Sequence, residues 1–207
     1  MAVLSMADRR YPPSKLPLSA HGVRLVAAGT GGDGGIDQIP RIAELAQQLG
    51  FRVIGVIDRD KETPQSVEQT AAVQAACDVV VRLPPGAIER AMVAGLDLAT
   101  VAVVSALLMD YGVPDPLAAD SSESAVTQLC KVLNKKGLHE PLLEALYSEL
   151  QPAPGHIQTP EHPLSEVVVH PPVLAAALDA IAQAANAAYS GPKLVDLPEV
   201  ARPQTEQ

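Results

Sequence analysis

Residues 51–60 read Phe51-Arg52-Val53-Ile54-Gly55-Val56-Ile57-Asp58-Arg59-Asp60. The run Phe51 to Ile57 is short, β-branched and apolar almost throughout, the pattern of a parallel strand covered on both faces. Val53–Ile57 is its core, and Asp58 follows directly, so this strand delivers the triplet Asp58-Arg59-Asp60 to its C-terminal edge.

Upstream, Val23 to Ala28 reads as a first strand, closed by the glycine-rich stretch Gly29 to Gly35. From Asp37, apolar residues Ile39, Ile42, Leu45, Ala46 and Leu49 recur at helical spacing up to Gly50. Downstream come a helix over Ser66 to Ala76 and a third strand, Asp78 to Leu83. Pro84-Pro85-Gly86 breaks that strand, and Ala87 to Ala94 opens a helix. Such alternation predicts an α/β fold: a parallel sheet flanked by helices, with functional residues at the C-terminal strand ends.

Beyond Asp97 the pattern is helical, over Leu98 to Tyr111, Ser122 to Asn134, Leu138 to Leu150 and Val173 to Tyr189. Six prolines between Gln151 and Pro172 exclude a regular element there. The resulting organisation is an irregular segment at 1–21, an α/β core at 22–115, a helical C-terminal extension at 116–190 and a disordered tail at 191–207.

Hydrophobic residues make up 47% of the 207, enough for a core, with one Phe, four Tyr and no Trp. The core is therefore aliphatic, and aromatic surface for stacking bases is scarce. A formal charge of −9 counts against a simple basic nucleic-acid module, because phosphate binding draws on an excess of Lys and Arg; DNA would be bound only weakly by the chain alone, with metal ions or another subunit offsetting its acidity. Cys77 and Cys130 have no metal-ligand spacing and read as buried thiols in a reducing, cytoplasmic setting. The N-terminus lacks the apolar core of a signal peptide, and the twelve-residue run Leu98 to Met109 falls short of the roughly 20 residues of a membrane span.

Side chains alternate along an extended chain, so Asp58 and Asp60 point the same way and can share one hard divalent ion. Asp is also common in solvated strand-to-loop turns. Glu89, one turn into the helix after the next strand, can join them in an acidic cluster that attracts Mg²⁺ or Mn²⁺; a first-turn glutamate also suits the helix dipole. Asp33 and Asp37 can add carboxylates from the glycine-rich loop, whose amides can alternatively cradle a phosphorylated small molecule. Lys135-Lys136-Gly137 lies between two helices, where a lysine can neutralise a phosphate oxygen or simply complement a helix end. His156, His162 and His170 have no ligand spacing and read as surface residues.

The order of these features resembles the Toprim domain of the OLD-family (overcoming lysogenization defect) ATP-dependent endonucleases, over roughly residues 22 to 150. The carrying segments are FRVIGVIDRDK (51–61), VRLPPGAIERAM (81–92) and LNKKGLHEPLLEAL (133–146). Asp58-Arg59-Asp60 matches the family's Asp-x-Asp, Leu83 to Glu89 its later acidic segment, and Lys136-Gly137 its Lys-Gly. The resemblance implies a Toprim-like sheet and metal-dependent hydrolysis of DNA phosphodiesters. Asp58, Asp60 and Glu89 would bind Mg²⁺ or Mn²⁺, Lys136 would assist at the phosphate, and an ABC-type ATPase domain or subunit would be the partner. Self-association into a homo-oligomer stays open. In one respect the chain departs from the pattern: where the family carries a glutamate at the end of the first strand, this chain has Ala28. Either Asp33 or Asp37 substitutes, or the domain is a degenerate one that binds or assembles without catalysis.

Overall fold

The computed structural model describes residues 2–9, 16–29, 35–59, 63–96, 101, 104–106, 108–111, 122–148 and 171–199. Its centre is a three-stranded, all-parallel sheet in the order β1-β2-β3, with β1 at Ile54–Arg59, β2 at Val79–Pro85 and β3 at Lys193–Asp196. The mixed α/β class expected from the sequence is what the chain adopts.

Parallel neighbours require a crossover, and between β1 and β2 it is a helix at Pro64–Ala76. Thr63 caps that helix: its hydroxyl accepts from the Ser66 amide at 3.1 Å while Ser66 Oγ accepts from the Thr63 amide at 2.8 Å. The crossover packs close, since a Cβ on Gly55 would stand 3.1 Å from Cys77 Sγ and 3.2 Å from Val73 Cγ1.

The middle strand divides the core in two. Val80 faces a small cluster with Ala43, Ile57, Val73 and Cys77, covered by the crossover helix and a helix at Ile39–Gln48. Val81 and Leu83 face the main core, which gathers Met92, Leu133, Leu142, Leu174 and Ile181. Helices at Ile88–Val93, Ser122–Lys136, His139–Ser148 and Pro172–Asn186 supply that side. Among the described residues the helices with defined bounds are, in chain order, α1 (Ala2–Arg9), α2 (Ile39–Gln48), α3 (Pro64–Ala76), α4 (Ile88–Val93), α5 (Ser122–Lys136), α6 (His139–Ser148) and α7 (Pro172–Asn186), with further helical residues at 101 and 104–106.

Three expectations are corrected. The N-terminal segment is not all irregular: Val3, Leu4 and Ala7, at helical spacing, bury one face of α1 in the main core. The segment read as a first strand, Val23–Ala28, is in no sheet. Val23 and Leu25 are half-buried against the main core while Arg24 and Val26 are exposed, so its alternation records side-chain burial without a backbone ladder. Within the segment read as a disordered tail, Lys193–Asp196 pairs in parallel with Val79–Arg82 as β3. Arg82 secures it, its Nε 2.5 Å from Asp196 Oδ1 and its Nη2 3.0 Å from Oδ2.

No helix among the described residues is long and apolar enough to cross a membrane.

Candidate functional site

The site begins where β1 and β2 end. Their register runs Ile54↔Val79 to Ile57↔Arg82 and then slips, pairing Arg59 with Pro85. The extra residue on β2 is a bulge, a device that re-aims side chains at a sheet rim. Arg59 holds the slip from both sides. Its Nε donates to the Leu83 carbonyl at 2.9 Å, and its own carbonyl accepts from the Gly86 amide at 2.9 Å. Gly86 turns the chain at φ +119°, and a Cβ there would lie 2.7 Å from Arg90 Cδ. This turn sets α4 against the strand ends.

Asp58 belongs to β1 and is exposed at this rim. Glu89, in the first turn of α4, is instead buried, with only 6% of its surface exposed. A buried carboxylate needs a partner, and Glu89 has one. Its Oε1 lies 2.6 Å from Nε2 of His139, the first residue of α6. His139 is half-buried and follows Gly137, whose φ of +65° ends α5.

Glu89 also lines a groove of about 390 Å³ between α4 and α5, with Arg90, Thr127, Lys131, Asn134 and Lys135. The lysines Lys135 and Lys136 are the last turn of α5 itself, not a linker between helices.

The remaining expected site residues fall elsewhere. Asp37 lies in a 3-10 turn at Gly35–Gln38, exposed, and accepts from Gln69 Nε2 at 2.7 Å on the α3 side of the sheet. Asp33, Asp60 and the side chain of Lys136 lie outside the described residues, as do His156, His162 and His170. Among the described residues no three His, Cys, Asp or Glu side chains converge to hold a metal ion. Asp58 and the start of α4 share one end of the sheet, but Glu89 is joined there to His139.

The donor chemistry at the rim suits a hard divalent cation, which takes carboxylate oxygens. Asp58 is exposed at this rim, with Asp60 two residues on in the sequence. Glu89 fits less directly, because one of its two oxygens already binds His139.

His139 was not among the residues expected at the site. A histidine opening a helix is at odds with the helix dipole, which favours acids there; that mismatch is the sequence signal for a carboxylate partner. Of the two cysteines, Cys77 is buried and Cys130 half-buried, and neither forms a disulfide. Burial pushes the Cys77 thiol up to about 11, with the neighbouring Asp78 charge adding to the effect.

Comparison with protein-family models, with curated proteins and with solved structures finds no match for this chain.

Proposed function

We propose that this chain is a Toprim-like domain that hydrolyses DNA phosphodiesters with a divalent metal at the β1 rim, working with an ABC-type ATPase domain or subunit. The observation that carries the reading is the exposed Asp58 at the C-terminal end of a parallel strand, beside a neighbour whose following helix carries Glu89 in its first turn. The order of Asp58-Arg59-Asp60, Glu89 and Lys136-Gly137 along the chain supports it.

Asp58 and Asp60 would hold Mg²⁺ or Mn²⁺, which polarises a phosphoryl oxygen and lowers the pKa of bound water. The chain's own residues then have separable tasks. Arg59 fixes the rim by tying β1 to Leu83 and Gly86. Glu89 fixes the ring of His139 and holds α6 to α4. Lys135 and Lys131 lie across from α4, where they offset the charge of a bound phosphate.

A second reading has its own observations. Glu89 is engaged by His139, and Ala28 stands where the family has a glutamate, off the sheet. Both favour a degenerate Toprim-like domain that binds or assembles without cleaving.

The experiment is a DNA nicking assay with Mn²⁺ or Mg²⁺, with and without an ABC-type ATPase partner, on the wild type and Asp58→Ala. Cleavage lost in Asp58→Ala while circular dichroism is unchanged is the expected result. No metal-dependent cleavage under either condition removes the nuclease reading and leaves the binding module.

A further inference from the structure

From the groove between α4 and α5 we infer a sequence-independent binding site for the phosphate backbone of a nucleic-acid strand, held chiefly by Lys131 and Lys135. Thr127, Lys131, Asn134 and Lys135 stand at offsets 0, 4, 7 and 8 along α5, which places them on one helix face. That face meets Glu89 and Arg90 of α4 across the groove. Like charges four residues apart on a helix repel each other. Two such lysines side by side on a groove wall make sense around an anion.

Among the described residues the one carboxylate lining this groove is Glu89, and its Oε1 is already taken by His139. The two lysines Lys131 and Lys135, against one carboxylate already engaged by His139, give a locally positive wall on a chain whose net charge is −9. Thr127 and Asn134 add uncharged hydrogen-bond donors at the same wall. Among the described residues no aromatic side chain lines the groove to stack a base. Contacts of this kind position a strand and carry no sequence information.

The ligand's identity as nucleic acid rests on the phosphodiester reading above. The anion chemistry does not, and the site needs no metal. β2 ends at Pro85 and α4 starts at Ile88, so the α4 wall of the groove begins at the same sheet end as Asp58. A strand lying in it is held beside the rim.

The test is fluorescence anisotropy of labelled single-stranded and duplex 20-mers with the full chain in EDTA, across a salt series. The wild type is expected to bind scrambled sequences equally, and K131E/K135E to bind at least about tenfold more weakly, with the salt slope reduced by about 1.5 to 2 for the two lost contacts. K131R/K135R is expected to keep most of the affinity. Asp58→Ala is expected to bind as the wild type does in EDTA, so a loss of cleavage and a loss of this site are read separately. Failure of the wild type to bind, or equal binding by K131E/K135E with an unchanged circular-dichroism spectrum, overturns the inference. Full displacement of the 20-mer by an equal phosphate concentration of ATP or inorganic phosphate overturns the strand assignment in favour of a small-anion pocket.

Discussion

Glu89 Oε1 lies 2.6 Å from His139 Nε2, linking the first turn of α4 to the first residue of α6. Between them these helices bury Met92, Val93, Leu142, Leu143 and Leu146 in the main core. The pair is therefore a clasp on the half of the core that lies behind the groove. Removing either partner breaks the clasp. His139→Ala is expected to cost about 1–3 kcal/mol in guanidinium unfolding, because buried Glu89 is left without its hydrogen bond, and Glu89→Ala about 0.5–1.5 kcal/mol, because half-buried His139 can turn to water. The double variant should recover about 1 kcal/mol of that sum as coupling. Strictly additive losses would show that the contact contributes nothing.

Gly86 makes the turn that sets α4 against the strand ends. At φ +119° an L-residue is strained, and a Cβ would press on Arg90 at both Cδ (2.7 Å) and Cβ (3.2 Å). Gly86→Ala is expected to lower stability by about 1–3 kcal/mol. It should also shift α4 relative to β1, and with it any activity that needs Asp58 and the α4–α5 groove together. Wild-type unfolding midpoints in this variant would mean that the turn can relax without strain.

What the residues disclosed on their own, and what they did not, divides by the range of the interactions. β1 and β2 were legible because Val53 to Ile57 and Val79 to Leu83 are β-branched runs that suit burial on both faces. The α2, α3 and α5 to α7 helices were legible to within a few residues from their apolar spacing. Asp58 was placed correctly at a strand end because it follows such a run directly. β3 was not legible. Lys193 to Asp196 is four residues between prolines, and it is a strand because β2 offers an open edge and Arg82 a charge partner. Both come from over a hundred residues away. The unpaired extension at Val23–Ala28 is the converse: local alternation without a ladder. The Glu89–His139 contact, fifty residues apart in sequence, depends on how α4 and α6 dock.

Burial raises the Cys77 thiol to about 11, aided by the charge of Asp78. The thiolate is the reactive form, so at pH 8 almost none of Cys77 is ionised. The thiol also sits against Gly55 beneath β1. Native protein should therefore titrate no more than one cysteine readily with a disulfide reagent at pH 8, the second appearing only in guanidinium. Cys77→Ser should abolish that delayed fraction. Rapid modification of both thiols in the folded protein would contradict the buried position of Cys77.

The last strand offers the sharpest contrast between the tail expected at 191–207 and the β3 found there. The Lys193 amide donates to the Asp78 carbonyl at 3.1 Å, and the Leu197 amide to the Arg82 carbonyl at 3.0 Å. Leu197 itself is 7% exposed and belongs to the main core. Deleting residues 191–207 removes that side chain and bares one edge of the central strand. The expected cost is about 3 kcal/mol or more, from a buried leucine and the lost ladder bonds. A dispensable tail would leave the urea midpoint unchanged. The Arg82–Asp196 pair adds a pH signature. Its hydrogen bond with Arg82 holds the Asp196 carboxyl below its ordinary range, ahead of the opposing effect of burial. A carboxyl whose folded pKa is depressed stabilises the fold above its unfolded value, near pH 4, and loses that contribution as pH falls through the folded value. Asp196 is about half exposed, so solvent screening keeps the effect below about 1 kcal/mol. The wild type should therefore lose stability below about pH 4 slightly more steeply than Asp196→Asn. Identical acid limbs for the two proteins would show that the pair does not hold β3 in solution.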